Sequence, residues 1–394
     1  MKRRDFLRNT GIITAGSLLL PSFLRANAFM PGFDALNQKR LIMVQLSGGN
    51  DGLNTIVPYG LDEYYQNRAA LGLKADGLIR IDDKFGFNPA LGKFNELLDK
   101  GWISIINSVG YPNPNRSHFR SMDIWHTASD TNEYLSEGWI GRYLDSNCEH
   151  PYEAIEINGK LSLALKGEQR SGIALTHPKA FYDTINAPFF NELTIPDTEN
   201  AELNYMYKVF NETRSSAKYI YDQHKLKPNN SEYGGERFGQ NLKQIATLIK
   251  SDIATPVFYT ELSGFDTHVN QNATQSRLLK NLNDGIGSFI NDLEKDDLMK
   301  ECTIVVFSEF GRRLKENASR GTDHGAANVL FVIDKNLSTN AMSYNAIDLQ
   351  DLNDGDPKYK VDFRSVYQDV LNKTLNVDPK SVLGKSYDEL NLFK

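Results

Sequence analysis

The sequence predicts an α/β protein built on a mostly parallel sheet with helices covering both faces. Three observations carry this expectation. Short, continuously apolar runs recur along the chain and read as buried strands. Longer segments with apolar residues at the helical period alternate with them. Four of the runs end in acids, imidazoles or a hydroxyl, and in a parallel sheet such ends converge on one edge, where ligands bind.

The first segment, "MKRRDFLRNTGIITAGSLLLPSFLRANA", is expected to be a targeting signal over residues 1–28. Arg3-Arg4 precede Asp5-Phe6-Leu7, a short apolar stretch runs from Gly11 to Leu20, and Ala26-Asn27-Ala28 offers a small-x-small cleavage site. The apolar stretch is too short for a mature anchor. The twin arginine points to the Tat translocase as a partner during export. The expected location is the periplasm or cell envelope. No other stretch is apolar enough to span a membrane, so the mature chain is expected to have no transmembrane segment.

The body of the chain, 29–394, is expected to form a single α/β domain. "RLIMVQLSG" (40–48) and "WISIINSVG" (102–110) read as the first two strands, separated by a helix over 88–101 with an Asn-Pro start and a Gly stop. Residues 150–235 are less regular and read as an insertion or cap, with an aromatic-rich part over 179–208 and an exposed loop over 224–239. Then come an amphipathic helix (238–251), a strand (253–264), a second amphipathic helix (276–296), and strands at 302–311 and 328–333. A helix from about Arg364 to Leu375 closes the chain.

Charge narrows the partners. Residues 1–28 hold five basic residues and one acid, which leaves 39 basic and 49 acidic residues, a net of −10. Nucleic acid and anionic lipid need concentrated positive charge, so a chain this acidic is a poor candidate for either. Only two cysteines occur, Cys148 and Cys302, with no CxxC or Cys-His spacing. Any metal must be held by oxygen and imidazole.

The strand ends supply those groups. Asp51 follows Gly48-Gly49-Asn50 after the first strand, and Ser117 follows Pro114-Asn115-Arg116 after the second. The strand near 260 leads to Asp266 and His268, and the strand near 305 leads to Ser308-Glu309 and, after a loop, Asp323-His324. Each has an ordinary structural alternative: a turn aspartate, a helix cap, a solvated carboxylate. Repetition at four strand ends favours a metal site of mixed carboxylate and imidazole. His118 and His126 read as packing or capping residues, and His150, His177 and His224 as surface residues. There is no P-loop, dinucleotide fingerprint or G-x-S-x-G elbow.

The motifs "LSGGNDGLNTIVPY", "NRSHFRSMDIWHTA", "GWIGRYLD", "GFDTHVNQ", "FSEFGR", "GTDHG" and "VDFRSVYQDVL" together resemble the family called domain of unknown function 1501. That family is similar in turn to the alkaline phosphatase and sulfatase superfamily. The resemblance implies an alkaline-phosphatase-like three-layer sandwich and a metal-dependent hydrolase of phosphate or sulfate esters. It implies metal ligands at Asp51, Asp266, His268, Glu309 and His324, and a nucleophile at Ser117. The implied metal is divalent, zinc first, with calcium, magnesium or manganese as alternatives. Phe310 stands where many superfamily members have a ligating histidine, which favours one metal, or zinc beside an oxygen-rich position. Arg116, Arg120 and Arg312 are the guanidiniums available to clamp an oxyanion, with Arg116 and Arg312 counted among the catalytic candidates. The implied partner is a small-molecule or glycan ester. The competing expectation is a non-catalytic envelope scaffold that binds a glycan or protein.

Overall fold

The first strand, β1 (Arg40–Ser47), shows why the central sheet is covered on both faces. Side chains alternate across a strand. Leu41 and Met43 enter one hydrophobic core, while Ile42, Val44 and Leu46 enter another, and all five are buried. A computed structural model describes residues 39–191, 201–338 and 347–394. The expected signal over 1–28 lies outside the described residues, as does part of the aromatic-rich stretch 179–208.

The remaining main strands are β2 (Ile103–Gly110), β3 (Ala154–Ile157), β4 (Ile173–Leu175), β5 (Val257–Ser263), β6 (Cys302–Phe307), β7 (Arg312–Glu316), β8 (Thr322–His324), β9 (Asn328–Ile333) and β10 (Val361–Asp362). Eight of the ten form one sheet in the order β10-β2-β9-β6-β1-β5-β3-β4, and β7 and β8 form a separate hairpin. The sheet is parallel except for β9, which runs against both β2 and β6. The reversal has a simple cause. Between β6 and β9 the chain makes no crossover; it stays at the carboxyl edge, forms the β7–β8 hairpin, and re-enters the sheet from that same edge.

The main helices are α1 (Asp62–Asn67), α2 (Gly92–Asp99), α3 (His118–Thr127), α4 (Trp139–Asn147), α5 (Pro178–Ile185), α6 (Ala201–Leu226), α7 (Arg237–Lys250), α8 (Gln271–Glu294) and α9 (Phe363–Lys373). Helices α2, α7 and α8 cover one face of the sheet, and α3, α4 and α9 cover the other. This is a three-layer α/β sandwich. In α8, Leu278, Leu282, Phe289 and Leu293 bury a stripe at helical spacing. Each such side chain contributes about 1.5–3 kcal/mol on burial. Among the described residues no helix is long and apolar enough to cross a membrane.

The region expected to be an insertion over 150–235 begins inside the sandwich. β3 and β4 extend the sheet beyond β5, and the following helices α5 and α6 pack against the same core through Phe181, Tyr219 and the buried Ile220. The apolar residues Ile155, Ile157, Ile173 and Leu175 explain this: they bury against the same core as β1. β5 runs level with β1, pairing Ser47 with Ser263, while Gln45 pairs with Phe307 of β6. The three strands therefore release their following loops at one edge.

Candidate metal centre

Three loops and one helix start meet at this edge. Gly48 holds φ at +116°, and a Cβ there would lie 2.4 Å from the Asp266 backbone nitrogen. A residue without a side chain is needed for the loop after β1 to pass so close to the loop after β5. Gly321 serves the hairpin in the same way, since a Cβ would meet the His268 carbonyl at 2.2 Å. The antiparallel register of β7 and β8 sets Arg312 opposite His324. His118 is the first residue of α3, following the N-cap residue Ser117.

Asp266 Oδ1 is the point of convergence. It lies 3.0 Å from His268 Nε2, 3.1 Å from His324 Nε2 and 3.5 Å from His118 Nε2. The Nε2 atoms of His268 and His324 are themselves 3.0 Å apart. Ligand atoms of His118, Asp266 and His324 all fall within 4.8 Å of one another. In a tetrahedral zinc site with ligands near 2.0–2.1 Å, neighbouring ligand atoms stand about 3.3 Å apart. The observed spacings bracket that value.

The far side of each ring is also held. His118 Nδ1 is 2.8 Å from Glu309 Oε1, His324 Nδ1 is 2.8 Å from the Arg116 carbonyl, and His268 Nδ1 is 3.3 Å from Asp323 Oδ1. An acceptor at Nδ1 places the proton there and turns the Nε2 lone pair inward. His118 Nε2 is buried and has no hydrogen-bond partner. Three inward lone pairs beside a carboxylate fit a divalent cation of the zinc class, and a single proton cannot satisfy them all.

The electrostatics agree. Burial works against ionisation of Asp266, yet the hydrogen bond from the Arg312 guanidinium helps to hold its carboxyl down at about 2. The hydrogen bond that His118 donates to the Glu309 carboxylate raises the His118 imidazole above its ordinary value. His126, by contrast, is fully buried against Gln45 and Tyr259, and burial pushes it down to about 4. It belongs to the core.

The structure brings together three of the five expected ligands, Asp266, His268 and His324. Glu309 stands one shell back: its Oε1 accepts from the Gly48 N–H at 2.9 Å and faces His118. Asp51 does not join the cluster. Its Oδ2 meets Arg68 Nη1 at 2.5 Å and Gln271 Nε2 at 2.5 Å, and Oδ1 accepts from the Leu53 N–H. Both members of the Asp51–Arg68 pair are fully buried, so the cation facing Asp51 is a guanidinium. Arg312, read as an oxyanion clamp, is buried and spends its donors on the carbonyls of Gly48, Gly49, Phe265 and Thr322 and on Asp266. It positions Asp266 and does not reach solvent. Arg120 likewise donates to the carbonyls of Asp130, Thr131 and Glu133. Arg116 pairs with Asp354 and Asp356. Ser117 is exposed, and its hydroxyl makes no capping bond.

His118, read from the sequence as a packing or capping residue, joins this cluster. It follows Arg116-Ser117 at the same sheet edge as the other ligands, and that placement was the available signal. Phe310 explains its role: the ring packs 4.8 Å from both His118 and His324, filling the space beside them.

A mostly parallel α/β sandwich with a histidine-carboxylate cluster at its carboxyl edge is the class these features define. The family expected from the motifs is the one that matches: residues 201–333 fit the model described as protein of unknown function (DUF1501). That span contains Asp266, His268, Glu309 and His324. No curated protein matches the chain. Among solved structures, the chain is similar to the zinc complex of the C-terminal periplasmic domain of EcEptC from Escherichia coli, at 10% identity and a TM-score of 0.37, covering 76% of this chain and 73% of that one. It is similar to PsFucS1 sulfatase from Pseudoalteromonas sp., at 10% identity and TM-score 0.39, covering 91% and 74%. A protein in the alkaline phosphatase superfamily from Vibrio parahaemolyticus is similar at 10% identity and TM-score 0.35, covering 76% and 60%.

Proposed function

We propose that this chain is an exported hydrolase of phosphate or sulfate esters that works with one divalent metal ion, zinc by preference. The observation that carries the reading is the convergence of three imidazole Nε2 atoms and Asp266 Oδ1, with every Nδ1 backed by an acceptor. His118, His268, His324 and Asp266 would hold the ion. When bound, such an ion supplies Lewis acidity toward the ester oxygens. The side chains of Asp266 and His268 are 48% and 39% exposed, so the centre faces solvent and a substrate can reach it.

The chain's own groups support ester chemistry beside that centre. Ser117 presents a solvent-facing hydroxyl next to His118 at the start of α3, where the helix dipole favours an alkoxide or an incoming anion. It is the nucleophile candidate. Arg312 fixes Asp266, and Glu309 fixes His118, so the ligand array is preorganised before substrate arrives. Export by the Tat route, proposed from Arg3-Arg4, is compatible with metal loading before translocation. The test is metal analysis followed by a panel of chromogenic phosphomonoesters, phosphodiesters and sulfate esters. Absence of turnover after loading with zinc, manganese, magnesium and calcium overturns the reading.

One observation favours a second reading. Four protein ligands can close a tetrahedral site, and closed zinc sites are structural. On that reading the protein is a non-catalytic envelope scaffold that binds a glycan or protein. A chain that retains its metal stoichiometrically, turns over no ester and retains a glycan on an array would establish it.

A further inference from the structure

A short hairpin, Leu352–Asn353 with Asp356–Pro357, turns through Asp354 and Gly355 at φ of 52° and 80°. It presses two carboxylates against Arg116 and Arg313. The two acids differ in kind. Asp356 is an anchor: its side chain is 2% exposed, and Arg116 reaches its Oδ2 through Nε at 2.9 Å and also through Nη2. Asp354 is 73% exposed, 2.9 Å from Arg116 Nη1 and 3.5 Å from Arg313 Nη2. Ion pairs this exposed contribute little, so Asp354 is readily displaced.

Arg313 is under-used. Among the described residues its guanidinium makes no hydrogen bond, and its two ion pairs stand at 3.5 and 3.8 Å. Asp356 Oδ1, buried beside it, also has no hydrogen-bond partner. A planar fork of five donors, one-third exposed, faces solvent with only two carboxylates at ion-pair distance, the nearer of them exposed. Both arginines stand in segments that also carry residues of the candidate metal centre. The Arg116 carbonyl accepts from His324, and Arg313 follows Arg312, which holds Asp266.

We propose that Arg116 and Arg313 form a second anion subsite beside the metal centre, in which Asp354 stands in for a tetrahedral oxyanion of the substrate. The assignment of this anion to a substrate rests on the hydrolase reading and narrows it. The substrate class is an ester carrying a further phosphate or sulfate group besides the one at the metal. Displacing Asp354 frees two guanidiniums that keep only Asp356 as counter-charge, and guanidinium geometry matches a phosphate or sulfate edge.

The test titrates inorganic phosphate calorimetrically, at fixed ionic strength, into the full chain loaded with zinc and into the same chain stripped of metal. Asp354→Asn removes the internal competitor and is expected to tighten phosphate binding about three- to fivefold in both forms. Arg313→Ala in that background is expected to abolish the gain, and Arg313→Lys to restore only part of it. Asp351→Asn is the control, because Asp351 is also a largely exposed acid, paired with Lys358; it is expected to change nothing. Equal affinity in the wild type and Asp354→Asn, or a gain that survives Arg313→Ala, overturns the subsite. Failure of the chain to bind zinc while the Asp354→Asn gain is present would remove the hydrolase reading and leave the anion subsite standing.

Discussion

Replacing Glu309 by Gln isolates the carboxylate that backs His118. Glu309 is 1% exposed. Its Oε1 takes both the Gly48 N–H and the His118 ring, while Oε2 lies 3.2 Å from the Ser308 hydroxyl oxygen. An amide fits this environment. Its oxygen can retain the Gly48 and His118 contacts, and its NH2 can donate to Ser308 Oγ, whose proton goes to the Leu46 carbonyl at 2.6 Å. The fold is therefore expected to survive, and the loss is the negative charge that makes His118 a better ligand. Removing such a backing group lowers metal affinity by about 10- to 100-fold, or about 1.4–2.8 kcal/mol. Competition for zinc against a chelating dye reads the change, and circular dichroism checks the fold. Unchanged zinc affinity in a folded Glu309→Gln variant would refute the reasoning.

Asp51→Asn is expected to leave zinc stoichiometry unchanged, whereas Arg68→Met strands a buried carboxylate and is expected to cost about 3–5 kcal/mol in urea unfolding. Gly48→Ala drives a Cβ into the Asp266 backbone at a left-handed φ, and a loss of about 3 kcal/mol in chemical denaturation together with weakened zinc binding is expected. Burial raises the Glu156 carboxyl to about 7, from an ordinary 4.5. The folded chain therefore binds more protons than the unfolded chain between those values, so stability falls as pH rises through that window. The fall amounts to about 3 kcal/mol. Glu156→Gln is expected to flatten the profile between pH 5 and 8 in urea titrations.

The strands and the edge they share were legible because buried apolar runs, helical periods and strand-end polar residues are local signals. The long helix α8 and the meeting of Asp266, His268 and His324 at one sheet edge both followed from them. The direction of β9 was not legible. A strand buried on both faces carries no mark of its direction; that depends on where the preceding hairpin leaves the chain. The Asp51–Arg68 pair was hidden for a related reason. Arg68 lies just past α1 in an unremarkable stretch, and only the fold brings its guanidinium to the loop after β1. His118 looked like a capping residue because its partners, Glu309 and Asp266, are 191 and 148 positions away.

X-ray absorption at the zinc edge, on the full chain with metal content quantified, tests the central claim most directly. The expected result is one zinc per chain bound by three imidazoles and a carboxylate oxygen, with His118→Ala removing one imidazole and Asp51→Asn none. A chain that retains no zinc, or whose zinc keeps three imidazoles in His118→Ala, would contradict the account.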